Sequence, residues 1–437
     1  MATSAPQTAE VHVIVAQHLI PIEGEILSPG ALAFQGERIL AVGRPEELTQ
    51  RFPQAKVEEY SSHCLLPGLV NAHADLSLTH FEKYPHPLPE TKEGRILFMA
   101  WLVNVSRFKS KLALGDQQKS LGEGLDIVRR SGVTTIGDVC RYPIAVPLYR
   151  ESGLRVVVLA EIENIQRTLA QDEFEQALAL VDEILHEENP KLKAGLAPFS
   201  AYTLSKNMLR ILGSHAIQMG IPLHLHAALT FSEMEFFYDS QGEVTSVLFK
   251  EAGWGIDKIP PPHRMTPIQY LHEIGVLKAK PSIVGALHLG PTDSALLDKA
   301  GCVRVFSPQS FEKLQAGEVP WDKILKEGSP WALGTLSKAS GSNLQLWDEM
   351  RAVVYRLEGE IDRSQVASAI LQAATLGGAK ALGLDSEIGS LAKNKQADFI
   401  LVDSPEDDDS IPAGLVDQTF PERIAAVYVA GSPLWRR

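Results

Sequence analysis

Hydrophobic positions fall into three regimes along the chain. At the start, Val11-His12-Val13-Ile14-Val15, Ala31-Leu32-Ala33-Phe34 and Arg38-Ile39-Leu40-Ala41-Val42 are short β-type runs between proline, glycine and charged turns, which predicts sheet pieces with no helix between them. The end mirrors this with strands over 397–403 and 424–429, separated by a loop rich in proline and aspartate. Between these regions the pattern changes. Apolar runs at 133–136, 154–160, 193–196, 222–226, 283–287, 303–306 and 331–333 are interleaved with amphipathic stretches such as 172–187 and 205–219, whose apolar residues recur at three and four. With the strand that ends near His73 these make eight, and alternation of this kind predicts an α/β fold, a (β/α)8 TIM-type barrel. The expected organisation is a barrel over 66–386 and a small β-sandwich built from both termini, 1–65 and 387–437.

The stretch Leu66-Pro67-Gly68-Leu69-Val70-Asn71-Ala72-His73-Ala74-Asp75 reads as a buried strand with chemistry at its exit. Residues two apart in a strand share a face, so His73 and Asp75 converge above its end, where a barrel keeps its working groups. A metal-ligand pair fits that spacing, and so does a hydrogen-bonded histidine beside a capping aspartate.

Composition narrows the partners. At 437 residues, 45% hydrophobic and 22% charged, the chain is globular, and its net charge of -13 argues against a sequence-independent grip on nucleic acid. Small molecules are the expected ligands. Cys64, Cys140 and Cys302 are scattered without a CxxC pair, which points to a reducing compartment. A polar start and the lack of a membrane-length apolar run lead to the expectation of a soluble, cytoplasmic protein without membrane contact. Neither a Walker-type phosphate loop nor a Gly-x-Ser-x-Gly elbow is present, and Ile259-Pro260-Pro261-Pro262-His263 reads as a rigid spacer rimming the site.

Several motifs together resemble the amidohydrolase superfamily, most closely its cytosine deaminase, chlorohydrolase and aminodeoxyfutalosine deaminase branch. They are Pro67 to Asp75, Val133-Thr134-Thr135-Ile136-Gly137-Asp138, Ala201-Tyr202-Thr203-Leu204-Ser205, Pro222-Leu223-His224-Leu225-His226, Ser307-Pro308-Gln309-Ser310, the run from Leu333 to Ser340, and Ala374 to Gly383. The closing Ile388-Gly389-Ser390-Leu391 with Gln396-Ala397-Asp398 resembles the family's return into its small sandwich.

The resemblance implies a mononuclear metal site: His-x-His on the first strand, a histidine on the fifth and an aspartate on the eighth. A glutamate three residues after the fifth-strand histidine and a histidine after the sixth strand move protons, and the metal lowers the pKa of the attacking water. In this chain His73 and His226 match metal-binding histidines, but Asp75 replaces the second histidine and Leu229 stands at the glutamate. Leu336 stands at the aspartate, Gly285 at the sixth-strand histidine, and Phe199 where related deaminases carry a substrate-contacting histidine. His288, three residues beyond Gly285, faces the opposite way without a change of register.

Two readings follow. In the favoured one the chain keeps the barrel and a small-molecule pocket but has lost standard metal-dependent deamination, a pseudoenzyme with a degenerate metal site and no metal. In the other, His73, Asp75 and His226 hold one divalent ion, zinc or iron, in a rewired hydrolase acting on a non-peptide carbon-nitrogen bond of an aminated heterocycle or nucleoside-like substrate. Candidate pocket residues are His224, Leu229, Gly285, Leu336 and Lys338, the last also able to pair with Asp75. Glu233 and Glu235 open a helix, and His80, Glu82 and Lys83 read as solvated loop residues. The resemblance also implies a homodimer.

Overall fold

The computed structural model describes residues 10–83, 89–92, 94–164, 167–357, 361–406 and 410–437. Eight parallel strands form the barrel: Leu69–Ala74, Val133–Cys140, Arg155–Ile162 and Leu192–Pro198 in one half, and His224–Ala227, Ser282–Gly285, Arg304–Phe306 and Trp331–Leu333 in the other. Backbone hydrogen bonds join the halves. His226 N donates to Phe199 O at 2.8 Å on one side, and Asp75 N donates to Leu336 O at 2.7 Å on the other. The second seam is reinforced by Asn71, whose Nδ2 donates to Thr335 Oγ1 at 2.8 Å while its Oδ1 accepts from Thr335 N at 3.2 Å.

Every residue of the first three barrel strands is buried, as continuous apolar runs covered on both faces require. At the last seam the strands approach closely: a Cβ on Gly334 would lie 2.7 Å from His73 O, so only glycine fits. Helices follow their sequence signals. In Lys206–Met219, the Ser205 side chain accepts from Met208 N, and Gly220 ends the helix in the left-handed conformation.

Both termini join a single seven-stranded mixed sheet in the order Ser432–Arg436, Ile424–Val429, Phe399–Asp403, Lys56–Pro67, Val11–Leu19, Gly30–Gln35, Arg38–Gly43. The Val11–Leu19 and Lys56–Pro67 pair is parallel and the rest are antiparallel. The sheet is fixed to the barrel by Arg155, whose Nε and Nη2 donate to the Asp398 carboxylate at 3.0 and 3.2 Å, with both side chains 2% exposed.

Four details depart from the sequence reading. Lys56–Pro67 is a strand twelve residues long whose first part is polar because much of it faces solvent. The terminal Ser432–Arg436 is also a strand, mostly exposed. No helix lies between the first three strands, but an unpredicted one, Pro45–Arg51, follows the third; it buries only Leu48, too little to show a period, although Pro45 and the acidic first turn mark its start. The loop rich in proline and aspartate contains a helix, Ile411–Gln418, capped by Ser410.

Candidate functional site

At the C-terminal end of the barrel lies a pocket of about 710 Å³, its open mouth included, whose lining contains His73, Asp75, Glu161, His226, Leu229 and Leu336. His73, Asp75 and His226 are therefore brought together. The His73 and His226 rings meet edge to face with centroids 5.3 Å apart. His226 Nδ1 lies 3.2 Å from Phe199 O, so it carries the proton and leaves Nε2 as an acceptor. His73 is 4% exposed and its Nδ1 has no partner. Burial lowers the pKa of both rings, that of His226 to about 4, so both are neutral at pH 7.

Both oxygens of the Asp75 carboxylate are engaged within the chain. Its Oδ2 accepts from Lys109 Nζ at 2.9 Å, and its Oδ1 accepts from the Ser77 hydroxyl and backbone N–H. Lys109 also donates to Glu161 Oε2 at 2.7 Å; Glu161 Oε2 accepts from Arg141 Nη2 at 3.0 Å, and the same Arg141 nitrogen donates to Glu163 Oε2 at 2.6 Å. Burial opposes the charge on Lys109, but the Asp75 and Glu161 carboxylates outweigh it and hold its pKa above the ordinary value. Burial likewise pushes Glu161 up, yet Lys109 and Arg141 bring it down to about 2. Burial and the neighbouring Glu161 charge raise Glu163.

Lys109 comes from the helix Phe98–Lys111, which presents Phe98, Trp101, Leu102, Val105, Ser106 and Lys109 to the pocket, one face at spacings of three and four. Glu161 stands in the third barrel strand, Arg155–Ile162, near its C-terminal end. The sequence reading missed Lys109, Arg141, Glu161 and Glu163. The signals were a lysine continuing the apolar stripe of a helix, and charged residues directly after two buried strand runs.

Among the described residues, no three His, Cys, Asp or Glu side chains are grouped to hold a divalent ion. The positive charge facing Asp75 is the Lys109 ammonium.

The remaining candidates divide. Leu229 and Leu336 line the pocket; Leu336 lies just beyond the eighth strand with φ +46°. His224 lies outside the lining, stacked on His73 with centroids 5.7 Å apart and its Nε2 2.9 Å from Ala381 O. Gly285, with φ +111°, packs behind Leu229 rather than in the cavity. Lys338 opens a short turn away from the lining, where Ser337 and Ser340 take its place, so the partner of Asp75 is Lys109 rather than Lys338. His288 turns aside, its Nε2 2.7 Å from Ala316 O. His80, partly exposed, pairs with Glu123 at 2.6 Å, and Pro260 and His263 line a separate groove. Glu233 is buried: its Oε2 accepts from Leu229 N at 3.0 Å, its Oε1 is unpartnered, and burial raises its pKa to about 8. Asp138 is structural, accepting from Leu76 N and from the Tyr149 hydroxyl.

A closed parallel barrel with a pocket at its C-terminal mouth and a sheet made of both termini is a (β/α)8 barrel carrying an accessory sheet. The chain belongs to the amidohydrolase family, whose sequence model matches residues 64–434; a model of the bacterial imidazolonepropionase-like composite domain matches residues 30–55. It is 29% identical over 333 residues to the aminodeoxyfutalosine deaminase of Deinococcus radiodurans, covering 75% of this chain and 76% of that protein. It is also 29% identical over 388 residues to the 5-methylthioadenosine/S-adenosylhomocysteine deaminase of Syntrophobacter fumaroxidans, covering 87% and 81%. Among solved structures, the aminofutalosine deaminase of Helicobacter pylori in complex with methylthio-coformycin superposes with a TM-score of 0.82 at 21% identity, covering 97% of this chain and 99% of that one. An adenosine deaminase from Xanthomonas campestris with bound zinc gives 0.81 at 24%, covering 98% and 93%. Among the described residues no helix is long and apolar enough to cross a membrane.

Proposed function

We propose that this chain is a small-molecule-binding member of the amidohydrolase family that does not catalyse metal-dependent deamination. One observation carries the reading: Asp75, which would complete a two-histidine, one-carboxylate metal set, is bound by the Lys109 ammonium at 2.9 Å. A cation supplied by the chain balances the charge that a metal would balance, and two leucines, Leu229 and Leu336, form the adjoining wall. Apolar walls around a few polar groups suit a small organic ligand.

The relatives support a second reading. They are deaminases of nucleoside-like compounds, and a hydrolase of that class would need Lys109 to yield Asp75 to a metal beside His73 and His226.

Elemental analysis separates the two. Untagged full-length protein, expressed with added zinc, iron or manganese and then desalted, is expected to retain well under one equivalent of each. It is also expected to release no ammonia from adenosine-type nucleosides. One equivalent of a single metal, lost in Asp75→Ala, would refute the metal-free reading, and ammonia released from those nucleosides would establish the rewired hydrolase.

A further inference from the structure

The polar groups of the pocket are matched to a ligand that donates hydrogen bonds and carries positive charge. Its lining contains three carboxylates, Asp75, Glu161 and Glu163, against one ammonium, Lys109. Lys109 already donates to two of those carboxylates, and Arg141, which pairs with Glu161 and Glu163 from behind, is absent from the lining. The cations are thus engaged, while acceptors remain. On Glu161 and Glu163 the bonds from Lys109 and Arg141 fall on Oε2, leaving each Oε1 outside them. His226 presents Nε2 as an acceptor, and the buried His73 Nδ1 is unpartnered.

Above this floor the walls hold Phe98, Trp101, Phe199 and Phe311. Aromatic faces attract cations through their quadrupoles, and the attraction grows where water is excluded. An anion would meet three carboxylates and no disengaged donor cation. A neutral apolar ligand would leave the acceptors without partners, which costs affinity.

From this arrangement we propose that the pocket binds a small organic cation, a protonated amine or amidine on an apolar body of about one ring, with its N–H groups directed at Glu161, Glu163 and the two histidines. The proposal rests on the metal-free reading, since a metal on Asp75, His73 and His226 would occupy the same floor.

The test is calorimetric titration of the full-length protein with phenethylammonium and benzamidinium, alongside the neutral 2-phenylethanol and the anionic 3-phenylpropionate. The cations are expected to bind at least about tenfold more tightly than the neutral isostere, with the anion weakest. Glu163→Gln should erase most of that preference, and the comparison among probes on the unaltered protein stands whether or not the variant folds. Equal or tighter binding of the alcohol or the carboxylate overturns the proposal, as does absence of heat from both cations at millimolar concentration. Metal content measured on the same preparation distinguishes the two failures. One equivalent of metal removes the reading beneath the proposal, whereas metal-free protein that prefers the neutral or anionic probe refutes the cation alone.

Discussion

Replacing Lys109 by methionine keeps most of the side-chain stem while removing the ammonium. Both carboxylates it serves are poorly exposed, Asp75 at 14% and Glu161 at 7%. Breaking a buried ion pair from one side costs about 3–5 kcal/mol, because the remaining charge is left uncompensated. Glu161 keeps Arg141 at 3.0 Å, so the orphaned carboxylate is Asp75, which retains only Ser77. The expected loss therefore lies near the lower end, about 3 kcal/mol, or roughly two orders of magnitude in the folding equilibrium. Urea denaturation of wild type and Lys109→Met would read it directly. The same variant frees the oxygen that Lys109 holds and makes His73, Asp75 and His226 available to zinc. Zinc should then restore part of the loss, by about 2.7 kcal/mol at a hundredfold excess over its dissociation constant, with no effect on wild type. A variant as stable as wild type, or a wild type stabilised equally by zinc, would refute the idea that the lysine takes the metal's place.

Three further outcomes are expected. Glu233 has a folded pKa raised to about 8 from an ordinary 4.5, so the folded state resists ionisation that the unfolded chain undergoes, and stability from this group is lost as pH rises through that interval. Glu233→Gln should therefore gain on wild type between about pH 5 and pH 8 in chemical denaturation, and a constant difference would contradict a neutral buried acid. Asp398→Asn should cost about 3–5 kcal/mol by leaving Arg155 buried and uncompensated, visible as a lowered denaturation midpoint; a shift under about 1 kcal/mol would show that the terminal sheet does not depend on that pin. Leu229→Glu adds a carboxylate to the apolar wall and should abolish binding of the neutral 2-phenylethanol, if any is measured, because burying an unpaired charge is costly.

The eight barrel strands were legible because parallel strands buried on both faces must be apolar along their length, and the residues from Val133 to Leu333 supply such runs. His73, Asp75, His226, Leu229 and Leu336 were legible through the motifs that contain them and the rule that strand exits carry the chemistry. Lys56–Pro67 was hidden because a half-exposed strand bearing Glu58, Glu59, Ser61 and Ser62 does not look like a core element. Lys109 was hidden for a different reason. Its significance arises only when the helix Phe98–Lys111 is laid across the barrel mouth, and nothing local to its sequence states that a residue 34 positions beyond Asp75 meets that carboxylate. Long-range ion pairs leave no periodic trace, and by sequence alone Lys338, close to a strand end, is the nearer partner.

The backbone at the exit of the eighth strand has a consequence for protein engineering. Leu336 holds a left-handed φ of +46°, a conformation that bulky residues seldom adopt and that aspartate and asparagine accept more readily. His73 O accepts from both Thr335 N and Leu336 N at 3.1 Å, so the turn is held by its neighbour strand whatever side chain stands there. An acidic group installed at that position would enter a main chain already shaped for it. The scaffold thus offers a short mutational route toward a metalloenzyme, in which Leu336→Asp supplies a fresh ligand without any rebuilding of the barrel.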